Sequence, residues 1–316
     1  MAIITSSNVN NSGSNAFTTF VNKVFLQVFE PELRFEQFAE PPISQEWYSS
    51  VTWIKPDRMS VTAAQAVLTA GVTPSDTPFK LNTITATAVQ YGIYTVLSDE
   101  LLKIGTGYDL ANTVGTLIGA NMARIVDAVI QTEVMAGDNV MYASTTSGWS
   151  RAANRAALGS TSVPFRYDFE ELYARMQSNY APFADGKYYV GVIHPAVSMY
   201  LRTETTAGGW TDVAKYSQPD KVFKGEVGMI AGIRLIESAY VQTFSSTITV
   251  YPTLIIGKQA YGISRLSMME TIVKPLWSAG SSDPLNQRMT IGSKTFFAAK
   301  RLQEASLYRL ETAGKF

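Results

Sequence analysis

The chain has 316 residues, of which 46% are hydrophobic and only 16% charged, and its 26 basic side chains are matched by 26 acidic ones. A typical soluble domain carries ~25% charged residues; this sparse, balanced charge excludes the basic field that a nucleic-acid binder needs. Zero cysteines exclude disulfides and thiolate chemistry and suit a cytosolic site of assembly, while 16 Tyr and 15 Phe suggest that much surface is buried between subunits.

The start, Met-Ala-Ile-Ile-Thr-Ser-Ser, lacks a basic region followed by a long apolar one, so no signal peptide is read. The first sixteen residues are rich in Ser, Asn, Thr and Gly and are expected to be poorly ordered unless a neighbour holds them. From Phe17 to Phe38 the pattern turns helical: Phe17, Phe20, Val21, Val24, Phe25, Val28 and Phe29 form a stripe that breaks at Pro31. Such a helix either caps its own core or docks on another copy as an arm. Phe17, Phe20, Phe25 and Phe29 are its candidate contacts.

Ser49 to Lys55 reads as a strand stopped at Pro56, and a β-like run extends from Leu81 to Leu97. In the second run Thr83, Thr85 and Thr87 face one way, and Ile84, Ala86 and Ala88 the other. The apolar phase then shifts to Val89, Tyr91 and Ile93, predicting a bulge or sharp twist near Ala88–Gly92. A strand this long is about three times the usual length. Together the two runs look like a two-stranded arm whose edges call for a partner surface. Trp53, Val67, Leu68, Thr83, Thr85 and Thr87 are its candidate inter-subunit residues.

The longest element is a helix expected over Leu110–Ala136, N-capped by Asp109 and followed by Gly137 at a left-handed C-terminal position. Ile118, Met122, Val126, Ile130 and Val134 repeat every four residues, beside a small row of Ala111, Gly115, Gly119 and Ala123. Each glycine costs about 1 kcal/mol against alanine inside a helix, so close approach of another backbone at Gly115 and Gly119 is the expected compensation. Asn112, Asn121, Arg124, Asp127 and Gln131 interrupt the apolar run too often for a membrane span. The helix is either the buried core helix of a large domain or a spine on which separate lobes hang.

Beyond it, 138–164 reads as a loop with one short helix at Arg151–Leu158, and Arg151, Arg155 and Arg166 as a solvated or subunit-contacting rim. Asp168 is expected to cap a helix from Phe169 to Tyr180. Lys187–Ile193 reads as a buried strand, and Pro195 opens a helix through Arg202. His194, the only histidine, has no recognisable nucleophile partner and reads as a histidine satisfied by backbone at a strand end. Thr203–Gly225 reads as a polar loop. Gly225–Glu237 reads as paired strands around Gly232, whose glycine spacing fits no phosphate loop. Thr247–Ile256, Tyr261–Leu276 and Gln287–Leu310 read as three further strands, the last two joined by Trp277–Pro284.

The order of these parts is specific. A helical arm is followed by a long β-excursion holding Gly71-Val72-Thr73-Pro74 and Thr83-Ile84-Thr85-Ala86-Thr87-Ala88-Val89-Gln90-Tyr91-Gly92. Ser98-Asp99-Glu100-Leu101-Leu102 and the long helix come next. This resembles the N4-like group of tailed-phage major capsid proteins, with Gly71 to Leu102 as the strongest piece. The resemblance implies an α+β Hong-Kong-97-type capsid fold. Its parts would be an N-terminal arm (1–48), an extended β-hairpin loop (49–98), a peripheral domain (99–186, spine helix 110–136), an axial domain (187–260) and return strands of the peripheral domain (261–316). It implies a major capsid protein that self-assembles into hexamers and pentamers, forming an icosahedral head shell around a double-stranded DNA genome. Self-contact, a separate scaffolding protein and a portal are the implied partners, with decoration proteins left open and DNA packaged without sequence-specific binding. The virion shell, assembled in the bacterial cytoplasm, is the implied location. A tail or fibre component is the alternative. No catalytic residue, cofactor, metal site or membrane contact is expected.

Overall fold

The computed structural model describes residues 35–40, 50–57, 59, 66–68, 70–72, 76, 77, 79–100, 107–144, 150–184, 186–203, 226–278 and 283–314. The helical arm with Phe17, Phe20, Phe25 and Phe29, and the 204–225 loop, lie outside the described residues.

The spine is α1, Gly107–Met135. At ~1.5 Å per residue it is roughly 40 Å long. It begins earlier than expected, so Asp109 lies inside the first turn rather than capping it. Gly137 does not take the left-handed conformation expected of it. A Cβ there would meet Glu304 Oε2 at 3.2 Å and Arg301 Nη1 at 3.4 Å, so this glycine makes room for an ion pair. Thr113–Met135 is long and apolar enough to pass for a membrane span, contrary to the sequence reading. Its apolar row is committed elsewhere, however. Ile118, Met122, Ala123, Val126, Ile130 and Val134 are buried in a protein core.

The strands form three sheets among the described residues. β1 (Ser50–Pro56) and β2 (Leu81–Thr87) make an antiparallel hairpin. β3 (Val89–Ser98), β10 (Tyr261–Lys274) and β11 (Arg288–Arg301) make a second antiparallel sheet, in the order β10-β11-β3. The third is mixed: β4 (Val140–Tyr142), β12 (Leu307–Ala313), β9 (Thr249–Ile256), β5 (Tyr189–Ile193), β7 (Ile233–Glu237) and β6 (Glu226–Ile230) lie side by side. β8 (Phe244–Ser245) adds to β9.

Two strand expectations change. The run from Leu81 is two strands, interrupted at Ala88, where the phase of its apolar residues shifts. Its first half pairs with β1 and its second half with β11, so the excursion is shared between two sheets. The run from Gln287 to Leu310 also divides. β11 lies beside the spine, but β12 joins the large sheet between β9 and β4.

One core fills the space between α1, the three-stranded sheet and one face of the large sheet, with Leu97, Ile263, Ile291 and Phe297 meeting Val192, Leu254 and Ile256. The other face of the large sheet is covered by α2 (Arg166–Ser178) and α3 (Pro195–Thr203). There Phe169, Leu172, Met176, Val197 and Leu201 pack on Tyr189, Ile193, Leu235 and Ile255. β5 is buried on both faces, which is why its sequence is an unbroken apolar run.

Candidate functional site

The feature that the subunit's own core does not explain is the β1–β2 hairpin. Its root is anchored. Val51 and Ala86 face each other and are buried. The ring of Trp53 lies over Gly262 of β10, where an added Cβ would come within 2.8 Å of it. Trp53 is therefore in contact with its own chain.

Away from the root the hairpin relies on itself. Thr52 and Thr85 share a hydroxyl hydrogen bond of 3.0 Å, the Asp57 amide donates to the Lys80 carbonyl at 2.9 Å, and Asn82 Nδ2 donates to Asp57 Oδ1 at 2.7 Å. Thr83, Thr85 and Thr87 share one exposed face, with Ile84 and Ala86 turned inward. Further out the large apolar side chains face solvent: Ile54 is 66% exposed, Val67 71% and Leu68 73%, with Met59, Val72 and Phe79 also exposed. An isolated hairpin is at best marginally stable, and apolar groups gathered on it mark an interaction surface.

On the spine, Gly115 and Gly119 are both buried. They share a face with Ile118 and Met122, which belong to the core that α1 makes with β3, β10 and β11.

The candidates for chemistry resolve into structural roles. His194 Nδ1 accepts the Ala196 amide at 3.1 Å, and the ring lies 4.7 Å from that of Tyr251. Burial holds its pKa below the ordinary value, only partly offset by the charge of Glu237. The Glu237 carboxylate accepts from Ser198 Oγ at 3.2 Å and pairs with Arg202 at 3.1 Å. Among the described residues no group of His, Cys, Asp or Glu is arranged to hold a metal.

The expected arginine rim is corrected. Arg151 bonds Asp168 at 2.7 Å and Glu171 at 2.5 Å, and donates to the Tyr142 carbonyl at 3.0 Å. Arg155 grips Glu311 with two bonds of 2.6 Å and stacks 3.7 Å over the Phe244 ring. Only Arg166, half exposed and paired one turn along with Glu170, fits the reading. Burial raises the pKa of Asp168 despite bonds from the Phe165 amide and Arg151. Burial also pushes Glu171 up, but bonds from Arg151 and Arg175 outweigh it and leave that carboxyl below its ordinary value. Asp168 does not precede its helix; it sits in the first turn and reaches back to accept the Phe165 amide at 2.9 Å. Glu311 was missed by sequence reasoning, though an acid inside the apolar strand Leu307–Ala313 demands a buried cation.

A family model described as phage capsid protein matches residues 81–294, more than half of the chain. The chain belongs to that family. It is a head shell protein of a bacteriophage, and its place is the capsid of the virion. The capsid of Ralstonia phage GP4 superposes with a TM-score of 0.68 at 16% identity over 88% of each chain. A structure titled Mycobacterium phage Che8 gives 0.58 at 13% identity, covering 88% of this chain and 90% of its own. The capsid of cyanophage P-SCSP1u gives 0.58 at 13% identity, over 90% and 89%. No curated protein matches the sequence. At such identities these likenesses show the fold, which is the Hong-Kong-97-type capsid fold expected from the sequence. The family match decides for the head shell over the tail or fibre alternative.

Proposed function

We propose that this capsid protein is the major head protein of an N4-like tailed phage. Its copies form hexamers and pentamers that close into an icosahedral shell around double-stranded DNA. The observation that carries this reading is the hairpin: an arm with solvated Ile54, Val67 and Leu68 beyond a root held by Val51, Ala86 and Trp53. Exposed apolar groups on a projecting arm are accounted for when each copy covers the next, and repeated heterologous contacts close by rotation into rings and shells. The order of segments from Gly71 to Leu102 supports the narrower group. Phe17, Phe20, Phe25, Phe29, Val67, Leu68, Thr83, Thr85 and Thr87 are assigned to contacts between copies. Trp53 supports the arm by fixing its root, and Gly115 and Gly119 admit close packing along the spine. The division into arm (1–48), extended loop (49–98), peripheral domain (99–186 with 261–316) and axial domain (187–260) is adopted with β12 as a strand shared with the large sheet.

The protein works without catalysis, cofactor or membrane, and assembles in the host cytoplasm with a separate scaffolding protein. A portal completes the shell. Packaged DNA is held without sequence recognition, consistent with balanced charge. Negative-stain microscopy and ultracentrifugation of the expressed chain, alone and with its scaffolding protein, test this. Closed particles or capsomer rings are expected. A stable monomer up to near-millimolar concentration, unchanged by the scaffold, would overturn it.

A further inference from the structure

We propose that Asp127 of the spine and Tyr261 of β10 are positioning residues for the N-terminal arm: they clamp the backbone of Phe35, so that the arm leaves every copy in one register. The inference rests on the capsid reading and goes beyond it by naming the residues that aim a contact between copies.

Asp127 and Gln131 interrupt the apolar rows of α1, yet each is only 1% exposed. One carboxylate oxygen of Asp127 accepts the Phe35 amide at 3.0 Å, and the Tyr261 hydroxyl donates to the Phe35 carbonyl. Burial, with the charges of Asp127 and Glu36 nearby, raises the pKa of Tyr261 well above its ordinary value, so the phenol stays a donor. Phe35 is wholly buried, Glu36 pairs with Arg265 of β10, and Phe38 and Ala39 pack on the same core. The Glu40 amide then donates to the Tyr261 carbonyl at 2.9 Å. Asp127 is held in turn. Gln131 Nε2 donates to its other oxygen at 3.5 Å and to the Tyr240 carbonyl at 2.9 Å, and Gln131 Oε1 accepts the Gln242 amide at 2.8 Å. The root of the arm, the spine and the connection between β7 and β8 thus meet at one polar cluster.

A leucine at 127 would fill the core without the cost of burying a carboxylate. What the carboxylate adds is direction. Apolar contact is non-directional, and Phe17, Phe20, Phe25, Phe29 and Phe38 compete with Phe35 for an apolar pocket. Bonds to the N–H and C=O of one residue remove that freedom, much as a buried polar group fixes register between helices. A slip of six residues would present Phe29-Glu30 to the clamp, but would set Glu32 where Phe38 meets the core. Register matters because Phe17, Phe20, Phe25 and Phe29 are assigned to contacts between copies. A slip of one residue displaces them by up to roughly 3.5 Å.

Residue-resolved hydrogen exchange on the free full-length subunit, paired with electron microscopy of its shells, tests the proposal. The Phe35 amide should be protected in the wild type and exchange on the order of 10-fold or more faster in Asp127→Leu, as for loss of a bond to a charged group. That variant and Tyr261→Phe should keep cooperative unfolding but give open or irregular shells. Asp127→Asn, which keeps an acceptor for the amide, should restore closed ones. A merely structural role would move the melting temperature and leave the shape of the shells alone. Normal shells from Asp127→Leu with a fast-exchanging Phe35 amide would overturn the proposal and leave the capsid reading intact, as would an unprotected Phe35 amide in the wild type. If Asp127→Leu fails to fold and Tyr261→Phe assembles normally, both residues belong to the core alone and the proposal fails. Irregular shells from a folded Tyr261→Phe subunit would support it even then. Failure of the wild type to assemble under any condition would remove the capsid reading as well.

Discussion

Two β structures of this subunit, β5 and the β1–β2 hairpin, meet opposite fates: the first is an unbroken apolar run and the second alternates threonine with apolar residues. β5 lies between β7 and β9 and is buried on both faces by α1's core on one side and α2 and α3 on the other. Among its described residues the hairpin is covered by its own chain at Val51, Trp53 and Ala86, with Ile84 half-buried. Strand formation therefore says nothing about where stability comes from; coverage does. The subunit's core is complete without the hairpin, and the hairpin's apolar surface is a demand placed on a neighbour.

The largest effect expected separates these regions outright. Replacing 58–77 with a short Gly-Ser turn should abolish closed shells in micrographs while leaving the subunit's unfolding transition nearly unchanged, because loop closure depends weakly on length. Unfolding of that variant would place the stretch in the core and break the comparison. The converse change is Leu254→Ala, at a side chain wholly buried beneath the spine. Its cavity should cost about 2–5 kcal/mol in urea unfolding of the free subunit. Gly119→Leu should cost about 1–3 kcal/mol by overpacking the buried face of α1. A neutral result would mean that the groove has slack.

The smallest effect is a pH dependence at His194. Its folded pKa lies below the ordinary 6.5 because burial disfavours the charged ring. The folded state thus binds fewer protons than the unfolded one, so the contribution is present above that value and is lost as pH falls below it. Thermal unfolding between about pH 7.5 and about pH 5.5 should show a fall that His194→Gln reduces.

Much of this division is legible in the sequence. The four-residue repeat from Ile118 to Val134 marks the face of α1 that the core buries, and the alternation from Thr83 to Thr87 marks the exposed face of β2. The break at Ala88 appears as a shift in apolar phase. What the sequence hides is long-range pairing. Nothing local says that Arg155 will meet Glu311, 156 positions away, or that β12 will leave β11's sheet for another. The three arginines look alike as text; two lie beside buried acids and one beside solvent. The helix starts are ambiguous in the sequence because Asp109 and Asp168 lie inside the first turn rather than before it, where the helix dipole also favours an acid.

The central claim is that the hairpin tip is open in the subunit and closed by another copy in the shell. With zero native cysteines, single introduced thiols report this cleanly. Maleimide labelling of Leu68→Cys should be fast in free subunits and strongly slowed in shells, while Val190→Cys in β5 stays slow in both. Equal labelling of Leu68→Cys before and after assembly would contradict the account.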